Sequence, residues 1–217
     1  LGGLDLVINR EDEALVEAQW DQGRGRGEPV ECLSGADVRR IEPSISNEVR
    51  WGLYFPEDQR VSPMKLGQAL LEGALAHGAQ IEYNERLLCI AESGEGGVVV
   101  ETSKGRRSAD HVVLASGAWT APLAASVDAQ VPVRPVRGEH GCFGGAQLRH
   151  VLRHGGHQII PSARGTMVGA TAEEAGFSTE ITQAGQRALR AVHTRLLATP
   201  CPLRSQWAGL RAKPKAG

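Results

Sequence analysis

Two arginines stand where a guanidinium could hold an anion. Arg137 lies in "PVRGEH", and Gly138 after it lets the backbone turn. Arg211 ends "WAGLR", with Gly209 thinning the strand just before it. An arginine beside a glycine at a strand end can reach into a cleft and clamp a carboxylate with two parallel hydrogen bonds. From pattern alone, a surface arginine is the simpler reading of each. His150, His154 and His157 have spacing that resembles metal ligands. Gly155 and Gly156 put a turn between the last two, and no acid or cysteine is near in sequence. That favours solvated loop histidines and no metal site. A third candidate is "DHVVLASGAW" (110–119), where an apolar run breaks at Ser116 and Gly117. A tight turn would explain the break. So would a backbone that must pass close to something large that is not protein.

Other chemistry is missing from the chain. It contains no Gly-x-Ser-x-Gly elbow, no His-Glu-x-x-His and no Walker loop. It also contains no Gly-x-Gly-x-x-Gly. Cys32, Cys89, Cys142 and Cys201 lie far apart, with neither metal nor redox spacing, and read as free buried thiols in a reduced, cytoplasmic protein.

The elements that must carry these residues follow from periodicity. "GLDLVI" (3–8) reads as a strand and "NREDEALVEAQWDQG" (9–23) as a helix capped by Asn9. "GRGRG" (23–27) reads as a loop, and "SGADVRRIEP" as a short helix capped by Ser34 and stopped at Pro43. "WGLYFPEDQRVSP" (51–63) suggests a strand, a polar turn and a return. "SPMKLGQALLEGALAHG" is a helix with Ser62 as cap, Pro63 at its first position and Leu66, Leu70 and Ala74 on its buried face. Strands are expected at 79–83, 86–91 and 97–103, and a strand buried on both faces at 110–115. "VPVRPV" (131–136) and Cys142–Phe143 suggest more extended chain. "HQIIP" (157–161) and "TMVGAT" (166–171) read as a hairpin. A helix over 182–198 presents Leu189, Val192 and Leu196 on one face, and "SQWAGL" (205–210) is a last strand.

This order is mixed α/β, or α+β: an antiparallel-rich sheet with flanking helices, and a piece of parallel sheet over 79–117. At 217 residues the chain can form one large domain or two small ones. A net charge of −1 gives no reason to expect nucleic acid, and no apolar run approaches a membrane span. The start at Leu1 and the polar end "RAKPKAG" read as cut ends of a longer protein.

Assembled, the motifs resemble the D-amino-acid oxidase family of flavoenzymes, and within it the glycine oxidase branch associated with thiamine biosynthesis. "DHVVLASGAWT" (110–120) is similar to the family's strand and turn beside the flavin. "VPVRPVRGEH" (131–140) resembles its Pro-Val-x-Gly-Glu segment, and "IIPSARGTMVGATAEEAGF" (159–177) its hairpin. "WAGLR" (207–211) matches the start of Trp-Ala-Gly-Leu-Arg-Pro, and "VSPMKLGQALLEGALAHGAQI" (61–81) the helix and strand before the flavin-contact segment.

The resemblance implies FAD as cofactor and a Rossmann-like FAD-binding part. Residues 79–120 would be a partial FAD-binding segment. Residues 1–78 and 121–217 would form the substrate domain, cut after the Arg211 region. It implies hydride transfer from an amino acid's α-carbon to the flavin, imine hydrolysis, and reoxidation by oxygen or another electron acceptor. No protein residue is then a catalytic acid or base, because the flavin carries the chemistry. Leu87, Ser116 and Gly117 would contact the cofactor. Arg211 would bind the substrate carboxylate, aided by Gln158, which stands where the family has a tyrosine. Ser162 replaces the arginine usual after the hairpin proline, and "AKPKAG" follows Arg211 in place of proline and an Asp-Gly segment. Without a glycine fingerprint the 217 residues alone are expected to bind FAD weakly. The partners expected are a small amino acid or amine, and self-association is left open. A sarcosine-oxidase-like enzyme, a D-amino-acid dehydrogenase and a non-catalytic folded module remain alternatives.

Overall fold

The computed structural model describes residues 2–94, 96–145 and 148–214. The first elements are β1 (Gly3–Val7), α1 (Arg10–Gly25), β2 (Glu31–Ser34), α2 (Gly35–Ile41), β3 (Trp51–Phe55), α3 (Pro63–Ala76), β4 (Leu87–Glu92), β5 (Val98–Thr102) and β6 (Gly105–Ala109). They are followed by α4 (Thr120–Ala124), β7 (Val133–Phe143), β8 (Val151–His154), β9 (His157–Ser162), β10 (Gly165–Gly169), α5 (Gln183–Leu196) and β11 (Leu203–Pro214). The chain divides into two compact units. Unit 1 holds Leu1–Arg60, Arg137–Glu173 and Ser178–Gly209; unit 2 holds Val61–Val136, Glu174–Phe177 and Leu210–Gly217.

The fold is mixed α/β with a large, mostly antiparallel sheet. That sheet has eight strands in the order β11-β7-β10-β9-β8-β1-β3-β2. β1 and β8 run parallel; the β1–β3, β2–β3, β8–β9, β9–β10 and β7–β10 pairs run antiparallel. Alternation along the strands sorts side chains onto two faces. Leu4, Leu6, Leu152, Ile159 and Val168 form one core with Val38 of α2 and with Leu189 and Leu196 of α5. Val7 and Leu53 lie on the other face and form a smaller cluster with Val16 of α1. The expected caps are present. Asn9 and Asp12 form a reciprocal capping box on α1, Ser34 accepts from the Asp37 amide on α2, and Ser62 caps α3 before Pro63. The hairpin expected over 157–171 is β9–β10.

Unit 2 departs more from the sequence reading. Its sheet, β4-β5-β6, is antiparallel rather than a parallel piece. β6 arises from "GRRSA", all of it exposed, whose polar composition hid it. The runs 79–83 and 110–115 are not strands. A strand exists through its ladder, and no described strand pairs with either run; Val113 is 88% exposed. α3 buries no residue, so the face of Leu66, Leu70 and Ala74 is open, with Leu66 and Leu70 45% and 66% exposed.

Smaller corrections lie in unit 1. β2 and β8 were not expected; each is only four residues long. The residues Gly23–Gly25 continue α1 rather than starting a loop, and no return strand follows β3 before α3. All four cysteines are free, but only Cys142 is buried. The last residues of the polar tail, Lys215–Gly217, lie outside the described residues.

Candidate functional site

In unit 1 the register lines up one row of residues across the sheet face opposite α5. Asp5 on β1 pairs with Arg153 on β8, and Arg153 with Gln158 on β9. Gln158 pairs with Gly169 on β10, and Gly169 with His140 on β7. The His140 ring then stacks on Trp207 of β11, centroids 5.6 Å apart and planes within 7°. Gln158 is exposed at the middle of this row.

The two ends of the row are fixed by different means. Arg153 donates from Nε to Asp5 and from Nη1 to Asp58 at 2.6 Å, and its guanidinium lies 5.1 Å from the Phe55 ring centroid. Asp5 is 3% exposed, so Arg153 offsets the cost of burying that carboxylate. These hydrogen bonds hold the Arg153 guanidinium firmly in its charged form against desolvation. At the other end, a Cβ on Gly169 would collide with His140 Nδ1, so the imidazole lies over the glycine.

Behind the row, Glu139 is fully buried on the opposite face. Its carboxylate accepts from the Thr182 amide at 3.1 Å, from Thr182 Oγ1 at 2.7 Å and from Gln206 Nε2 at 2.6 Å. Thr182 is the N-cap of α5, so Glu139 ties the "GEH" segment to that helix. Arg137 is not a surface arginine, being 7% exposed. Its Nη2 pairs with Glu173, and the two residues exchange backbone hydrogen bonds of 2.9 Å. The Arg137 guanidinium holds the Glu173 carboxyl below the usual carboxylate range.

The histidines need correction. His150 and His154 are not solvated loop residues, because β8 carries His154 and begins just after His150. His150 Nδ1 lies 3.2 Å from Glu42 Oε2, which also accepts from the Arg149 and His150 amides at 2.7 and 3.1 Å. His154 Nδ1 lies 3.2 Å from the Leu6 carbonyl and 3.7 Å from Asp12. The acidic partners are more than 100 positions away in sequence, which no local spacing rule could find. His157 sits beyond the two-glycine turn, its Nδ1 3.1 Å from the Gly155 carbonyl.

The other anticipated residues lie in unit 2. Leu87 opens β4, and Ser116 precedes a 3₁₀ turn over Gly117–Trp119. α4, which follows that turn, packs against β4, so Leu87 and Gly117 belong to one small assembly. Ser116 Oγ lies 3.1 Å from Thr120 Oγ1. Arg211 is exposed on β11. Gly117 has φ +56°, and a Cβ there would meet nothing within 4 Å. A glycine is favoured by the backbone, and the space beside it is free for a ligand. Beside Leu87, Asn84, Glu85, Arg86, Leu88 and Ser103 line an open groove of about 440 Å³. The open glycine turn and the groove beside Leu87 each leave room for a ligand, and Leu88 and Val113 expose apolar surface in the same unit.

This architecture is that of a flavin-dependent oxidoreductase domain: residues 2–217 match the family described as DAO, FAD dependent oxidoreductase, and the chain belongs to that family. Among its relatives, a glycine oxidase of Geobacillus kaustophilus is 31% identical over 224 residues, covering 100% of this chain and 59% of that protein. The crystal structure of glycine oxidase from Geobacillus kaustophilus matches with a TM-score of 0.90 at 27% identity, covering 99% of this chain and 59% of that one. A bifunctional protein ThiO/ThiG of Nostoc sp. is 29% identical over 211 residues, covering 91% of this chain and 32% of that protein. The chain thus spans 59% of the length of the glycine oxidase it matches. Among the described residues no helix is long and apolar enough to cross a membrane.

Proposed function

We propose that this chain is most of the substrate domain, and part of the FAD-binding domain, of an oxidase that deaminates glycine or a similarly small amino acid. Residues 79–120 belong to the FAD-binding part in this reading, and 1–78 and 121–217 to the substrate part. Arg211 clamps the substrate carboxylate with two parallel hydrogen bonds. Gln158 is the second substrate-binding residue in this reading, with an amide N–H able to donate to a carboxylate. A held carboxylate orients the α-carbon, and orientation is the protein's main contribution to such a reaction. The Leu87 backbone meets the adenine end of the cofactor, and Ser116–Gly117 let the chain pass close beside it. FAD, when bound, supplies the acceptor for the α-hydrogen and its electron pair.

The observation that carries the reading is the whole-length match to a glycine oxidase, 31% identical across all of this chain. Oxygen consumption by the FAD-loaded holoenzyme tests it, with glycine, sarcosine and D-alanine as substrates. Glycine should be consumed with one peroxide formed per oxygen. Turnover with a dye acceptor but not with oxygen would make the protein a dehydrogenase instead. No turnover of any of the three with either acceptor would remove the reading.

A further inference from the structure

We propose that His140, held flat over Gly169 by Trp207, is the wall that sets how large a side chain the substrate can carry. The inference rests on the reading of Gln158 as a carboxylate-binding residue. Neighbouring strands lie about 4.8 Å apart. A side chain rising straight from His140 would stand two strands from Gln158, on the order of 10 Å. The ring does not rise straight. It leans over β10, because Gly169 leaves room that any Cβ would take. The imidazole therefore stands about one strand spacing from Gln158.

Trp207 keeps the ring there, its plane within 7° of the imidazole. The opposite neighbour of Gln158 is just as fixed. Arg153 is tied to Asp5 and Asp58 and lies over Phe55. Gln158 thus sits between two side chains that are each held by contacts of their own. A carboxylate placed on Gln158 leaves room beside it for a hydrogen or a methyl group, not for a branched or aromatic side chain. The segments "GEH", "VGAT" and "WAG" supply the wall, its floor and its prop: His140, Gly169 and Trp207.

The test compares kcat/KM for D-valine and glycine in the FAD-loaded holoenzyme and its variants. His140→Ala should raise the D-valine to glycine ratio at least about tenfold, the size expected when a pocket wall is removed. Trp207→Ala should raise it in the same direction by releasing the ring. His140→Leu, which refills the space, should leave the ratio near that of the parent. Acetate and isovalerate, the amine-free counterparts of glycine and valine, give a readout without turnover. Calorimetric titration should show the preference for acetate narrowing in His140→Ala. An unchanged ratio and an unchanged binding preference in both alanine variants, with the parent active on glycine, overturns the wall alone. A parent that turns over no amino acid overturns the wall together with the functional reading.

Discussion

Replacing Arg211 by lysine separates a clamp from a mere charge. A guanidinium meets a carboxylate with two hydrogen bonds in one plane, whereas an ammonium offers a point charge. Each charged hydrogen bond in a desolvated site is worth roughly 1.5–3 kcal/mol. In the FAD-loaded holoenzyme Arg211→Lys should therefore raise KM for glycine at least about tenfold, the change that 1.4 kcal/mol gives. Flavin content, read from the visible spectrum, should stay at the parent's level. Glycine handled by Arg211→Lys as by the parent would move the clamp to another residue. Arg137 is a poor substitute, because Glu173 already holds its Nη2. That commitment was not legible in "PVRGEH", since Glu173 lies 36 positions away. His140 and Trp207 stand in recognisable segments, "RGEH" and "WAGLR", but the sequence does not show that they meet. Only the register of β7 against β10 brings His140 over Gly169. Arg153 carried no local signal at all, and its importance comes from Asp5, 148 positions earlier.

Helix α5 shows what a periodic segment does and does not disclose. Its apolar spacing announced Leu189 and Leu196, and both are fully buried. The same spacing could not say that its start is tied down by Glu139 or that His193 is fully buried. Removing the carboxylate in Glu139→Ala leaves the Thr182 amide, the Thr182 hydroxyl and Gln206 without their acceptor. Groups stranded in this way cost about 1–3 kcal/mol each, so a loss on the order of 3 kcal/mol should appear as a lower urea midpoint. His193 stacks on Phe143 at 4.3 Å, and among the described residues neither ring nitrogen has a partner. Burial pushes its pKa below the ordinary 6.5. The unfolded chain then takes up a proton that the folded chain resists. The stability from burying the neutral ring is fully present above the ordinary value and is lost as pH falls through the depressed one. Thermal midpoints should fall more steeply below pH 6.5 in the parent than in His193→Leu. Parallel curves for the two would show that another group governs the acid limb.

The two units differ in how much apolar surface they bury, and that difference explains which was readable. Unit 1 contains both core clusters, reaching from Leu4 and Leu6 to Leu189 and Leu196. Its strands alternate because one face is packed, and alternation is what a sequence reading detects. In unit 2 the buried apolar residues are Ile90, Ala118, Ala124 and Val136, while Leu66, Leu70, Leu75, Leu88 and Val113 are exposed. Its periodic patterns are real, but within this unit the described residues do not cover them. The buried face assigned to α3 and the strand assigned to 110–115 both failed for that reason. The consequence can be measured across the whole molecule. Amides open to exchange most readily where few buried contacts hold the backbone. Hydrogen exchange of the 217-residue chain should show β1, β8, β9 and β10 as the slowest segments. α3 and residues 110–116 should exchange orders of magnitude faster, since they lack packing or a ladder. Saturating FAD should slow exchange at Leu87 and at Ser116–Gly117 more than at β1, if the open turn and the groove beside β4 are where the cofactor lies. Uniform protection of both units without FAD would contradict the packing difference, and protection by FAD confined to unit 1 would place the cofactor surface elsewhere.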